Sequence, residues 1–246
     1  MTMILACSAN AATSPRYAAI SGGNFRTALP TDGDTTAVAP FLLRTQPVSN
    51  REFAAFVTKH PAWRRGTVPA LFADFRYLSA WNSPTDFSPL NADAPVIDVS
   101  WYAAQAYCAS EHARLPTWYE WEFVAAADAT RRDARSDPVW RENILGWYEQ
   151  PANMSLPAMP QDTSDIYGVY NMHRLIWEWV EDYNGLFVTA DSRNQGEQKS
   201  LETCGAAALS LNDRENYAVV MRIALLSSLD GKDNIESLGF RCARDK

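Results

Sequence analysis

Apolar and polar positions along the chain fall into helical spacing in four places. The first begins at Ser49. Ser49 and Glu52 form a capping box, in which hydroxyl and carboxylate each satisfy a free backbone amide. Phe53, Phe56 and Val57 then share one face, and Pro61 stops the run. Ser100 caps a second helix through Cys108, which the RLP of residues 114–116 breaks. Thr117 and Glu120 repeat the capping box and open a third, carrying Trp121, Phe123 and Val124 to Ala127. The fourth starts near Asp213 and sets Tyr217, Val220, Met221, Ala224 and Leu225 on one face.

Strand signals are shorter. Residues 12–46 read as strands and turns, with a turn at Gly22-Gly23 and a strand over residues 40–45. LGFRCA at 238–243 ends another. Residues 61–98 are rich in Pro, Asn, Asp and Ser, yet they carry Trp63, Leu71, Phe72, Phe75, Tyr77, Leu78, Trp81 and Phe87. Those side chains call for burial, so the region is ordered loop and not linker. Residues 128–142 are a charged segment, and 146–170 are loop-like. No repeat and no linker divides the chain. The pattern predicts a single α+β domain over residues 12–246, with few helices, short strands and much ordered loop.

Composition narrows the function. The 246 residues are 47% hydrophobic and 21% charged, a globular balance. The net charge of −7 and the absence of a basic run exclude a nucleic-acid partner. No apolar stretch reaches the roughly 18 residues of a membrane span. Residues 1–11 are apolar, then small, and Ala9-Asn10-Ala11 fits a signal-peptidase site, so they read as a signal-peptide remnant. Export, to a periplasm or beyond, is expected, with a cytoplasmic location as the alternative. Loss of Cys7 would leave three cysteines, one disulfide and one free thiol; a cytoplasmic chain would keep four thiols.

The stretch GVYNMHRLIWEWVEDY, residues 168–183, is aromatic and acidic at once. Glu178 lies between two tryptophans. A buried carboxylate must be hydrogen-bonded or bound to a cation, because an unpaired one is too costly. The three histidines, His60, His112 and His173, are not paired at metal-ligand spacing. His60 and His112 follow helix ends; His173 adjoins the acidic aromatic stretch.

Five segments together resemble one family. They are PVSNREF (47–53), PVIDVSWYAAQAYC (95–108), RLPTWYEWEF (114–123), YGVYNM with WEW (167–172 and 177–179) and LGFRCA (238–243). In order and spacing they resemble the formylglycine-generating enzyme, or sulfatase-modifying factor, family over residues 17–244. The resemblance implies an irregular α+β fold related to C-type lectins. Family enzymes oxidise a substrate cysteine using Cu(I) held by two thiolates, ligands suited to a soft cation. The matching segment here is 205–215, with Ser210 and Glu215 where the cysteines should stand. No copper is therefore expected. Iron-dependent relatives carry a histidine-rich triad in an added domain, which three scattered histidines do not provide.

The family also binds calcium. The resemblance assigns one structural site to Asn153, Met154 and Asp162 or Asp165, since Ca²⁺ takes oxygen ligands. A second family site uses positions matching Asn171 and Glu178. Here Arg174-Leu175 replaces the family's Gly-Asn, which adds a cation and removes an oxygen. Exported members can bridge the positions of Cys108 and Cys242, which leaves Cys204 as the odd thiol. The variant pattern around residues 172–184 and 217–229 resembles a subgroup of exported proteins that includes the pyoverdine-maturation protein and nitrite-reductase-associated members.

Two functions stay open. One is an accessory enzyme that matures a periplasmic metabolite or peptide. Its pocket is walled by Trp177, Glu178, Asp182, Cys204, Ser210, Glu215 and Arg222, with His173 nearby. Glu178 or Asp182 is then the general base, Cys204 a nucleophile or redox residue, and Arg222 the holder of an anionic substrate. The other is a non-catalytic ligand- or protein-binding module. Substrate and oligomeric state are not legible in the residues.

Overall fold

The computed structural model describes residues 16–29, 35–148, 156–160, 163–186 and 217–246. Among the described residues, five α-helices and seven short strands pack with long ordered loops around one core, and they form no barrel. Strands β1 (Tyr17–Ile20), β4 (Phe41–Arg44) and β7 (Ala243–Asp245) make an antiparallel sheet in the order β1-β4-β7. β2 (Gly23–Phe25) and β3 (Thr36–Val38) form an antiparallel ribbon. β5 (Trp177–Glu178) and β6 (Leu238–Gly239) pair in parallel.

Helix caps set three helices where expected. α1 (Asn50–Lys59) has the full Ser49/Glu52 capping box and buries Phe53, Phe56 and Val57. It ends at His60, and a 3₁₀ turn starts at Pro61. α2 (Trp101–Ser110) is capped by Ser100. It closes through His112, whose φ of 55° lets the Ala113 amide return to the Cys108 carbonyl. α3 (Trp118–Ala125) has the Thr117/Glu120 capping box. Both helix-end histidines thus sit at C-termini, where no metal chemistry is needed to place them.

Three expectations require correction. The charged segment 128–142 and the start of the expected loop contain a helix, α4 (Pro138–Tyr148). Asp137 caps it, accepting from the Val139 amide at 2.9 Å, and Pro138 occupies the first helical position. Helix α5 (Tyr217–Ser227) presents another face than expected: Val219, Arg222, Ile223 and Leu226 are buried, while Met221 is exposed. Spacing counts only apolar positions, so it set Met221 on the inner face and did not register that Arg222 shares the buried one. Finally, Leu71, Phe72 and Phe75 are exposed, Phe75 at 91%. The loop turns over at Pro69, whose carbonyl accepts from Phe72, and the Arg76 guanidinium covers the Phe75 ring. The rest of 61–98 is ordered as expected, with Tyr77, Leu78 and Trp81 buried.

The C-terminal segment closes the molecule. Cys242 is bonded to Cys108 of α2, 134 residues away. The Arg44 amide donates to the Cys242 carbonyl, and Val48 donates to Phe240. Gly239 lies so close to the 95–99 segment that an added Cβ would meet the Val96 carbonyl oxygen at 2.3 Å. No helix among the described residues is long and apolar enough to cross a membrane.

Candidate functional site

Glu178 answers the question raised by its two tryptophans. It is fully buried on β5, and so is Arg241, just beyond β6. Arg241 Nη2 donates to Glu178 Oε1 at 2.8 Å, and Nε to Oε2 at 2.9 Å. Trp121 Nε1 donates to Oε2 as well, at 2.9 Å. Arg241 also donates to the carbonyls of Arg44 and Tyr170. Both carboxylate oxygens are engaged, so Glu178 is a structural anion that ties α3, β4, β5 and the 168–172 loop together. The general-base role and the cation-binding role both pass away from it. Arg241 is the residue missed from sequence. Its signal was available, because a lone buried acid in WEW needs a base and LGFRCA contains one.

Above this pair lies a second cation. α5 sends Arg222 inward until it is 1% exposed, 4.2 Å from the ring centroid of Trp121 and 5.0 Å from that of Trp177. Desolvated cation–π contacts of this kind contribute about 2 kcal/mol each. Arg222 has no carboxylate within salt-bridge distance among the described residues, and its Nε and Nη1 lack hydrogen-bond partners. His173 adjoins it. The imidazole is buried, edge-on to Trp121 and Trp140, with Nε2 2.7 Å from the Ala125 carbonyl. Burial, reinforced by the Arg222 charge, lowers its pKa to about 3, so the ring is neutral. Nδ1 has no partner, and neither has either side-chain atom of the buried Asn171.

Asp182 is exposed, beyond the other end of β5. Its Oδ1 accepts from the Trp118 amide at 2.7 Å, at the N-terminus of α3. The residue as a whole is exposed, but its carboxyl is turned in against the start of α3, and that desolvation raises its pKa, opposed by the Trp118 amide. Asp165 is held similarly: Oδ1 accepts from Tyr167 and Val169 amides at 2.8 and 2.9 Å, while Oδ2 is buried without a partner. Burial raises it to about 6. Trp177 is half-buried and is the wall of the Arg222 cluster that reaches solvent. Arg174 and Leu175 lie between His173 and β5. Arg174 lies over Trp147, 4.0 Å from its centroid, and Leu175 takes a φ of 70°. Among the described residues no three His, Cys, Asp or Glu side chains converge for a metal. Cys204, Ser210, Glu215, Asn153, Met154 and Asp162 lie outside the described residues.

Known proteins frame this geometry. The formylglycine-generating enzyme of Streptomyces coelicolor is 29% identical over 274 residues, covering 91% of this chain and 85% of its own. The hercynine oxygenase of Mycobacterium tuberculosis is 28% identical over 160 residues, 58% of this chain and 38% of that one. The structure of PvdO from Pseudomonas aeruginosa superposes with a TM-score of 0.50 at 16% identity, over 94% of both chains, a likeness of fold. Residues 5–246 match the model of the sulfatase-modifying factor enzyme 1-like domain, and the chain belongs to that formylglycine-generating-enzyme family.

Proposed function

We propose that this chain is an exported accessory protein that oxidatively matures a small metabolite or peptide, such as a pyoverdine-type siderophore precursor. The observation that carries the reading is the Arg222 cluster, a buried cation with two free nitrogens beside a neutral histidine, in a family of oxidative modifying enzymes. Copper-dependent formylglycine formation is not part of it. Two of the four cysteines are bonded to each other, and segment 205–215 holds none, so a pair of late thiolates for Cu(I) cannot form there. The Cys108–Cys242 bridge supports export, because disulfides persist in oxidising compartments.

Asp182 is the proton acceptor in this reading. A carboxylate whose pKa burial has raised is a better base near neutrality. Dioxygen accepts the two electrons and two protons taken from the substrate and leaves as hydrogen peroxide. Calcium is a structural companion. The partnerless Oδ2 of Asp165 is the observation that favours a hard cation there.

The test is to incubate the purified protein with a reduced peptide-derived precursor under air and follow loss of two hydrogens by mass spectrometry. Asp182→Asn is expected to lower turnover about 100-fold. Full activity in both Asp182→Asn and Cys204→Ser would sink the catalytic assignment. Tight binding with no turnover would make the chain a binding module.

A further inference from the structure

Three buried polar atoms on His173 and Arg222, two side chains packed on the same Trp121 ring, have no hydrogen-bond partner. Folded proteins pair about nine in ten of such atoms, so this concentration points to something that binds. The chemistry wanted is specific. Nε2 of His173 faces a carbonyl, which only accepts, so Nε2 carries the proton and Nδ1 presents a lone pair. Arg222 presents N–H donors and one permanent charge. A partner must therefore bring a single negative charge to Arg222 and an N–H or O–H to His173. A dianion would leave a buried charge uncompensated. A planar carboxylate matches a planar guanidinium best.

We propose that Arg222 and His173 recognise the C-terminal end of a peptide or other N-acyl amino acid. The carboxylate pairs with Arg222 against the Trp121 and Trp177 rings, and the adjoining amide N–H donates to His173 Nδ1. This rests on the reading above that the Trp177 face receives a peptide or peptide-derived molecule, and it adds which end of that molecule is held.

The experiment titrates the full-length protein with N-acetylglycine, N-acetylglycinamide, acetate and inorganic phosphate. Tryptophan emission is the readout, since two indoles touch Arg222. N-acetylglycine is expected to shift the emission saturably and raise the thermal midpoint. Acetate, which lacks the N–H, should bind about ten-fold more weakly, and Arg222→Lys should cost at least about ten-fold for losing the planar fork. Should Arg222→Lys fail to fold, Trp177→Phe on the half-buried wall is expected to weaken N-acetylglycine in the same sense. Equal binding of N-acetylglycinamide, tighter binding of phosphate, equal binding by wild type and both variants, or no binding of any probe would overturn the proposal. Binding of N-acetylglycine without turnover of a precursor keeps this inference and removes the catalytic reading. Turnover by Arg222→Lys with an unchanged KM does the reverse.

Discussion

Single residues carry unusual loads in this molecule. Glu178→Gln would leave the Arg241 guanidinium buried against a neutral amide. Breaking one side of such a pair costs about 3–5 kcal/mol, and chemical denaturation should report that loss even if the site is otherwise intact. Leu175 shows the opposite case. Its φ of 70° is strained for a branched apolar side chain but far easier for asparagine, the residue that the resemblance sets there. Leu175→Asn is expected to raise stability by about 1 kcal/mol, measured by the denaturation midpoint. Asp165 adds a pH dependence. Its folded pKa is raised to about 6 from the ordinary value of 3.8, so the folded state holds the proton more tightly than the unfolded chain. Stability should therefore fall as pH rises from about 4 to about 6 and stay level above. Millimolar calcium should flatten that slope, because a bound cation favours the carboxylate. Asp165→Asn should abolish both slope and calcium response; a slope that survives the substitution would exclude Asp165 as its source.

At the scale of elements, legibility followed local chemistry. Ser49, Ser100 and Thr117 announce α1, α2 and α3, because a cap is a contact between residues three apart. Asp137-Pro138 announced α4 with equal clarity, but the charges around it masked the signal. The face of α5 was not legible from spacing, since an arginine points inward only when distant aromatic rings and a neutral histidine receive it. The same holds for the site. Trp177 and Arg222 were both expected in the pocket wall, while the Glu178–Arg241 pair joins residues 63 apart: the need for a base beside Glu178 is legible in WEW, but which arginine meets it is fixed by the folded chain. Exposure of Phe75 likewise reflects a turn that hydrophobicity does not encode. The disulfide between α2 and the segment before β7 closes a loop of 134 residues. In the chain-entropy account such a link contributes about 5 kcal/mol. Cys108→Ala with Cys242→Ala should lower the unfolding free energy by up to that amount, and an unchanged midpoint under reducing conditions would contradict it.

For the whole molecule, the last residues complete everything. β7 supplies the third strand of the sheet, Arg241 the counter-charge of Glu178, and Cys242 the bridge to α2. Removing residues 238–246 should give a chain without cooperative unfolding, as circular dichroism on heating would show. A growing chain lacks all three until residues 238–245 have been made, so long-range pairing waits for that segment. Until that segment arrives, Glu178 has no counter-charge and Cys108 no partner, so the clasp of the fold is the part made after what it fastens.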